Sequence, residues 1–220
     1  MTDINSNHAR SAERFLEYNE CIKNDHSVSG SLMARCYKAG DRTGHCVWWL
    51  EDDIPTLIMM SLEGHSKQAW PESSPFQQIV CENVGAGEKP VLLGVGMAGK
   101  AHWSATIEGD SMTEAIAMDI ACRTAVAPER LGSTYWIPPQ WTAKLVTENS
   151  LSLEHLHGLK VVIESVGNTP IVYEGQKLQI HPKIDFANHH RGQTYRWRYL
   201  VRSDRKGETN ALPNIGSHEA

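Results

Sequence analysis

The chain is poor in the features that usually place a protein quickly. No stretch approaches the ~20 consecutive apolar residues that a membrane-spanning helix needs, so no membrane partner is expected. The opening residues, Met1-Thr2-Asp3-Ile4-Asn5, have neither the basic start nor the apolar core of a secretory signal. Cysteine is scarce: five residues out of 220, at positions 21, 36, 46, 81 and 122. The count is odd, the spacing scattered, and most lie in apolar runs. That pattern fits free, buried thiols in a reducing compartment, and a cytoplasmic location is the expectation. Positive charge is also lacking. The net charge is −5 and the isoelectric point about 6.1, which argues against a general nucleic-acid binder. The eleven histidines are dispersed. Cys36, His45 and Cys46, His155 and His157, and His189 and His190 are neighbours in sequence, but none has CxxC or HExxH spacing. No metal and no cofactor are therefore expected.

What is present is a succession of short apolar segments separated by turn residues. They include Cys46–Leu50, Thr56–Leu62, Gln78–Val84, Pro90–Val95, Ala101–Glu108, Glu114–Thr124, Ser133–Ile137, Leu159–Val166, Pro170–Tyr173, Lys177–His181 and Thr194–Arg202. The gaps between them are too short for the helical crossovers of a parallel sheet. The expectation is a mainly β fold: one antiparallel sheet in residues 30–203, closed toward a calycin-like barrel or packed as a sandwich. Residues 1–29 read as a polar segment with one helix, Ser11–Ile22, in which Ala12, Phe15, Leu16 and Ile22 fall near one face. Ser152–His157, stopped by Gly158, and Pro128–Leu131 are further places for a short helical turn. The polar residues 204–220 read as a tail.

One stretch supports two incompatible readings. Gly94-Val95-Gly96-Met97-Ala98-Gly99 follows the apolar run Val91-Leu92-Leu93 and matches the glycine fingerprint of a dinucleotide-binding turn. Asp119 stands about twenty positions on, where such a site holds the ribose. That reading needs a helix after the glycines. Ala101–Glu108 instead alternates apolar and polar, Trp103, Thr106 and Ile107 are poor helix formers, and Gly109 would break a helix early. We read the glycines as a bulge or bend in a strand.

If Ala101–Glu108 and Glu114–Thr124 are adjacent strands, parity sorts their side chains. His102, Ser104, Thr106 and Glu108 share one face, and Asp119 and Arg123 share the corresponding face of the next strand. A turn at Gly109-Asp110-Ser111-Met112 sets His102 opposite or diagonal to Asp119, with Ser104 two residues from His102 on the same face and Arg123 two pairs further out. A carboxylate beside a histidine can fix its tautomer, and the histidine can act as base toward a hydroxyl or water. Thr194–Arg202 alternates most cleanly. Tyr195, Trp197, Tyr199 and Val201 form an apolar face, while Arg196, Arg198 and Arg202 form the other, ready to pair with neighbouring acids. Trp48 and Trp49, adjacent on a strand, must point to opposite faces, so one of them is available to a ligand or an interface.

These residues support a soluble, non-catalytic protein that binds a small molecule through His102, Ser104, Asp119, Arg123, Trp48 and Trp49. Two alternatives remain open. One is a hydrolase using His102 and Asp119 with Ser104 or water as nucleophile. The other is a homo-oligomeric or protein-interaction module using the exposed tryptophan.

Overall fold

The computed structural model describes residues 18–23, 30–52, 54–65, 67–85, 89–110, 115–185 and 188–204. Among the described residues, fifteen strands form a single antiparallel sheet. They are β1 (Tyr18–Lys23), β2 (Ser31–Ala39), β3 (Arg42–Glu51), β4 (Ile54–Ser61), β5 (Phe76–Val84), β6 (Lys89–Ala98), β7 (Ala101–Asp110) and β8 (Ala115–Thr124), followed by β9 (Ser133–Trp136), β10 (Trp141–Thr147), β11 (Ser150–His155), β12 (Lys160–Val166), β13 (Ile171–Glu174), β14 (Lys177–Ile180) and β15 (Gln193–Ser203). The hydrogen-bonded path runs β10-β11-β12-β15-β8-β7-β6-β5-β3-β4-β9-β14-β13, with β2 and then β1 added on β3. The sheet curls until its two ends approach. The Ile171 N–H donates to the Glu148 carbonyl at 2.7 Å, and the Trp141 indole N–H donates to the Leu57 carbonyl at 2.7 Å. The result is a nearly closed, all-β barrel. No helix forms among the described residues.

Alternation explains why the sheet closes around its core. On β15, Tyr195, Trp197, Tyr199 and Val201 are buried, and Trp103, Ala105 and Ile107 on β7 and Ile116, Met118, Ile120 and Cys122 on β8 face the same interior. Each large apolar side chain taken from water contributes roughly 1.5–3 kcal/mol. Trp103 and Trp197 meet edge to face with ring centroids 5.9 Å apart. The arginines on the outer face of β15 pair as expected. Arg196 makes a two-pronged contact with Asp119, Arg202 another with Glu164 at 2.9 and 3.0 Å, and Arg198 lies 3.9 Å from Glu108.

The glycine run is a bend. β7 is a strand, so the helix required by a dinucleotide turn is not there. Gly96 lies opposite an irregularity between Phe76 and Gln78 on β5. The extra residue, Gln77, turns its amide onto the Met97 backbone, accepting from the N–H at 2.6 Å and donating to the carbonyl at 3.0 Å. Gly94 faces the Phe76 ring, which a Cβ there would meet at 3.1 Å. Gly99, with φ +56°, makes the β6–β7 turn.

Several expectations need correction. Ser150–His155 is strand β11, in place of the short helical turn expected over Ser152–His157. Leu151 and Leu153 are buried between β10 and β12, so a period of two governs this segment. Residues 128–131 form bends and irregular chain, not a helical turn. β10 has no counterpart in the sequence reading, because its outer residues Leu145 and Val146 are half exposed and blur the alternation. The helix expected over Ser11–Ile22 is not among these corrections, since residues 11–17 lie outside the described residues, which begin with β1 at Tyr18.

Candidate functional site

The polar residues singled out on β7 and β8 share one face, but that face is the outside of the barrel. His102 pairs directly with Arg123, Ser104 with Ala121 and Thr106 with Asp119. Asp119 is therefore four residues along the strand from the position opposite His102, about 13 Å at strand spacing. The cause is the turn. β7 continues through Asp110 and pairs it with Ala115, so the turn is centred two residues later than Gly109–Met112 implies. Moving the centre by two slides the pairing by four. An even slide preserves the faces and changes every partner. Asp119 is also committed to Arg196. The His102–Asp119–Ser104 relay does not assemble.

His102 and Arg123 do converge on something. They line a cleft of about 660 Å³ at one end of the barrel, together with Lys100, Thr124, Ala125, Arg191 and Gly192. Lys100 comes from the β6–β7 turn, Arg123 from the end of β8, and Arg191 from the chain leading into β15. The Gly192 N–H donates to the Thr124 carbonyl at 2.9 Å, which ties that chain to β8. Gly192 has φ +80°, and a side chain there would lie against the Arg123 guanidinium. Among the described residues no carboxylate lines this cleft, and none of Lys100, Arg123 or Arg191 makes an ion pair. Lys100, Arg123 and Arg191 thus gather positive charge around the His102 imidazole with no acid between them among the described residues, and guanidinium and ammonium groups of this kind donate strongly to carboxylate and phosphate oxygens. The sequence pattern gave no sign of Lys100 and Arg191, because turns brought together by the fold leave no local period.

Of the other candidates, Ser104 is exposed on the outer face, two residues from His102. Trp49 is buried in the core and borders a separate cleft of about 380 Å³ at the other end of β15, with His155, His157, Lys160 and Asp204. Trp48 points away from the core and donates its indole N–H to the Cys46 sulfur at 2.9 Å. Neither tryptophan is near His102 in the pairing, since both belong to β3.

A second polar group leaves no local pattern in the sequence, because its members come from β3, β4, β8, β9 and β15 and from the chain just after β4, and each looks like an isolated interruption of an apolar run. Inside the barrel, His45 Nε2 and the Tyr135 hydroxyl share a hydrogen bond of 2.6 Å. The Tyr135 hydroxyl also meets the Tyr199 hydroxyl, and the Met118 sulfur lies 3.4 Å away. Ser61 donates to the Glu63 carboxyl and accepts from the His45 backbone N–H at 2.8 Å. Arg42, 2% exposed, donates to the Glu63 carbonyl at 2.9 Å. Burial holds the His45 imidazole neutral by pulling its pKa down to about 4. Burial also pushes the Glu63 carboxyl up to about 7, against the opposing pull of the Ser61 hydrogen bond and the Arg42 charge. Tyr135 and Tyr199 are both driven up by burial, so they remain phenols. His45 Nδ1 and Glu63 Oε2 have no hydrogen-bond partner among the described residues. This network lies in the core, whereas Lys100, His102, Arg123 and Arg191 of the cleft at the barrel end are exposed to solvent. Cys122, in contrast, is an inert core thiol pushed up to about 12 by burial.

No protein family matches the chain by sequence, and no curated protein does either.

Proposed function

We propose that the protein is a non-catalytic binder of a small anionic molecule, held at one end of a calycin-like barrel by Lys100, His102, Arg123 and Arg191. The observation that carries this reading is a contrast on one face of the sheet. Arg196, Arg198 and Arg202 each lie against a carboxylate, whereas Arg123, one strand away, lies over a cleft with none among the described residues. Leaving several cations close together raises mutual repulsion, which an anion relieves. The outward face of β7 also supports binding over hydrolysis, because His102 has Arg123 as its cross-strand partner and no carboxylate to orient it.

Titration calorimetry with inorganic phosphate and citrate tests this. Saturable binding that weakens as salt rises is expected. Arg123→Ala should weaken it about tenfold or more, the effect of losing one charge-assisted contact. Arg196→Ala should leave it unchanged, because that guanidinium is already engaged by Asp119. Absence of binding by any anion, or equal effects of the two substitutions, would sink the proposal.

A further inference from the structure

The cationic cleft has an apolar neighbour on the same face. In an antiparallel pair, residues directly opposite each other point to the same side. Met97 on β6 is opposite His102, and Val95 is opposite Ser104. Met97, His102 and Arg123 therefore form one row across β6, β7 and β8. Val95 and Met97 are each 51% exposed. They are two of the larger apolar side chains that the barrel leaves in water, and they begin one strand spacing, about 4.8 Å, from His102. The Gln77 amide bonds the Met97 backbone on both its N–H and its carbonyl, which ties this apolar step to β5 beside the cations. Gly96, between the two, keeps the strand close to Pro75 and the edge of the bulge.

We propose that the ligand of the cleft is a single anionic amphiphile, an alkyl phosphate or alkyl carboxylate, whose head sits among Lys100, His102, Arg123 and Arg191 and whose chain lies over Val95 and Met97. This rests on the anion-binding reading and adds the class of ligand. The patch suits one short chain. Two half-exposed side chains offer too little area for a bilayer, and a net charge of −5 opposes adsorption on an anionic membrane. Charge complementarity fixes which end enters the cleft, and the buried aromatic interior, filled by Trp103, Trp197 and Tyr199, leaves the outer face as the place for the chain.

The experiment is calorimetry with inorganic phosphate, butyl phosphate and octyl phosphate, the last kept below its micelle concentration. A fully buried methylene is worth roughly fourfold in affinity, so a chain against a half-exposed surface should gain about twofold for each methylene that reaches the patch. The double variant Val95→Thr, Met97→Gln should abolish this gain and leave the affinity for inorganic phosphate unchanged. Equal affinity for the three phosphates overturns the amphiphile and leaves the anion site standing. Failure of all three to bind overturns both. A chain-length gain that survives in the double variant overturns the placement of the chain. Binding to phosphatidylserine vesicles without binding to octyl phosphate overturns the single-molecule ligand in favour of a lipid surface.

Discussion

Glu63→Gln and His45→Gln should tilt the stability of the barrel in opposite directions with pH, each by about 3 kcal/mol across its window. The Glu63 carboxyl goes from an ordinary 4.5 to about 7 in the folded protein. Between those values the folded state holds a proton that the unfolded chain has released, so wild-type stability falls as pH rises from 4.5 to 7. Glutamine cannot titrate, so the stability of Glu63→Gln relative to wild type should climb over that interval. His45 goes the other way, from 6.5 to about 4. Between those values the unfolded chain binds a proton that the folded core refuses, so wild-type stability rises as pH rises from 4 to 6.5. His45→Gln should therefore lose stability relative to wild type over that range. In the wild type the two slopes oppose each other from about 4.5 to 6.5 and largely cancel.

The measurement is chemical denaturation of the three proteins from pH 4 to 7.5. Carboxylates elsewhere, such as Glu72 and Glu164, both held below the ordinary range in ion pairs, contribute equally to all three and drop out of the differences. The partners facing these groups should stay in place. Arg42 and Ser61 still meet residue 63, and the amide at residue 45 can still reach the Tyr135 hydroxyl. Three parallel profiles would show that neither group is shifted by the core.

Gly96→Ala should be the more damaging of two glycine replacements, although Gly96 does not adopt a left-handed backbone. A Cβ at this position would come 2.8 Å from the Pro75 carbonyl carbon and closer still to its oxygen. Both atoms are backbone, next to the bulge at Gln77, so neither can rotate away. Relief would need β6 to lift from β5, which would disturb the two hydrogen bonds between Gln77 and Met97. Overpacking of this kind costs about 1–3 kcal/mol, toward the upper end where only backbone can yield. Gly40→Ala is the comparison. Gly40 has φ +66° with open space around it, so its penalty is conformational alone, about 1 kcal/mol. Denaturation midpoints at constant slope give both values. A harmless Gly96→Ala would mean that the strand has room, and that the bend is not what the glycine provides. The same variant separates the bend from the dinucleotide fingerprint: calorimetry with NAD or ATP should show no binding to either protein.

The architecture was legible wherever it depended on the order of neighbouring residues. Alternation in Ala101–Glu108 against the glycine fingerprint was enough to choose a strand, and alternation in Thr194–Arg202 placed Tyr195, Trp197 and Tyr199 in the core and the arginines beside acids. The face shared by His102, Ser104 and Arg123 followed from the same parity. Ser152–His157 misled because its flanking Gly158 resembles a helix stop, while burial of Leu151 and Leu153 depends on two strands far away in space.

The sequence by itself determined the mainly β class and, where alternation was clear as in Ala101–Glu108 and Thr194–Arg202, which side chains share a face, because a side chain's direction in an extended chain is set by local geometry with a period of two. Only the tertiary structure decided which side was inside, which residues met, and where the polar groups gathered. Register depends on where a turn closes, and a two-residue error there keeps every face while replacing Asp119 with Arg123 as the partner of His102. Closure then brings Lys100, Arg123 and Arg191 to one end and His45, Glu63, Tyr135 and Tyr199 into the middle. Those groupings are joined across long separations in the chain, and their charges and pKa values follow from burial and proximity, which no local pattern carries.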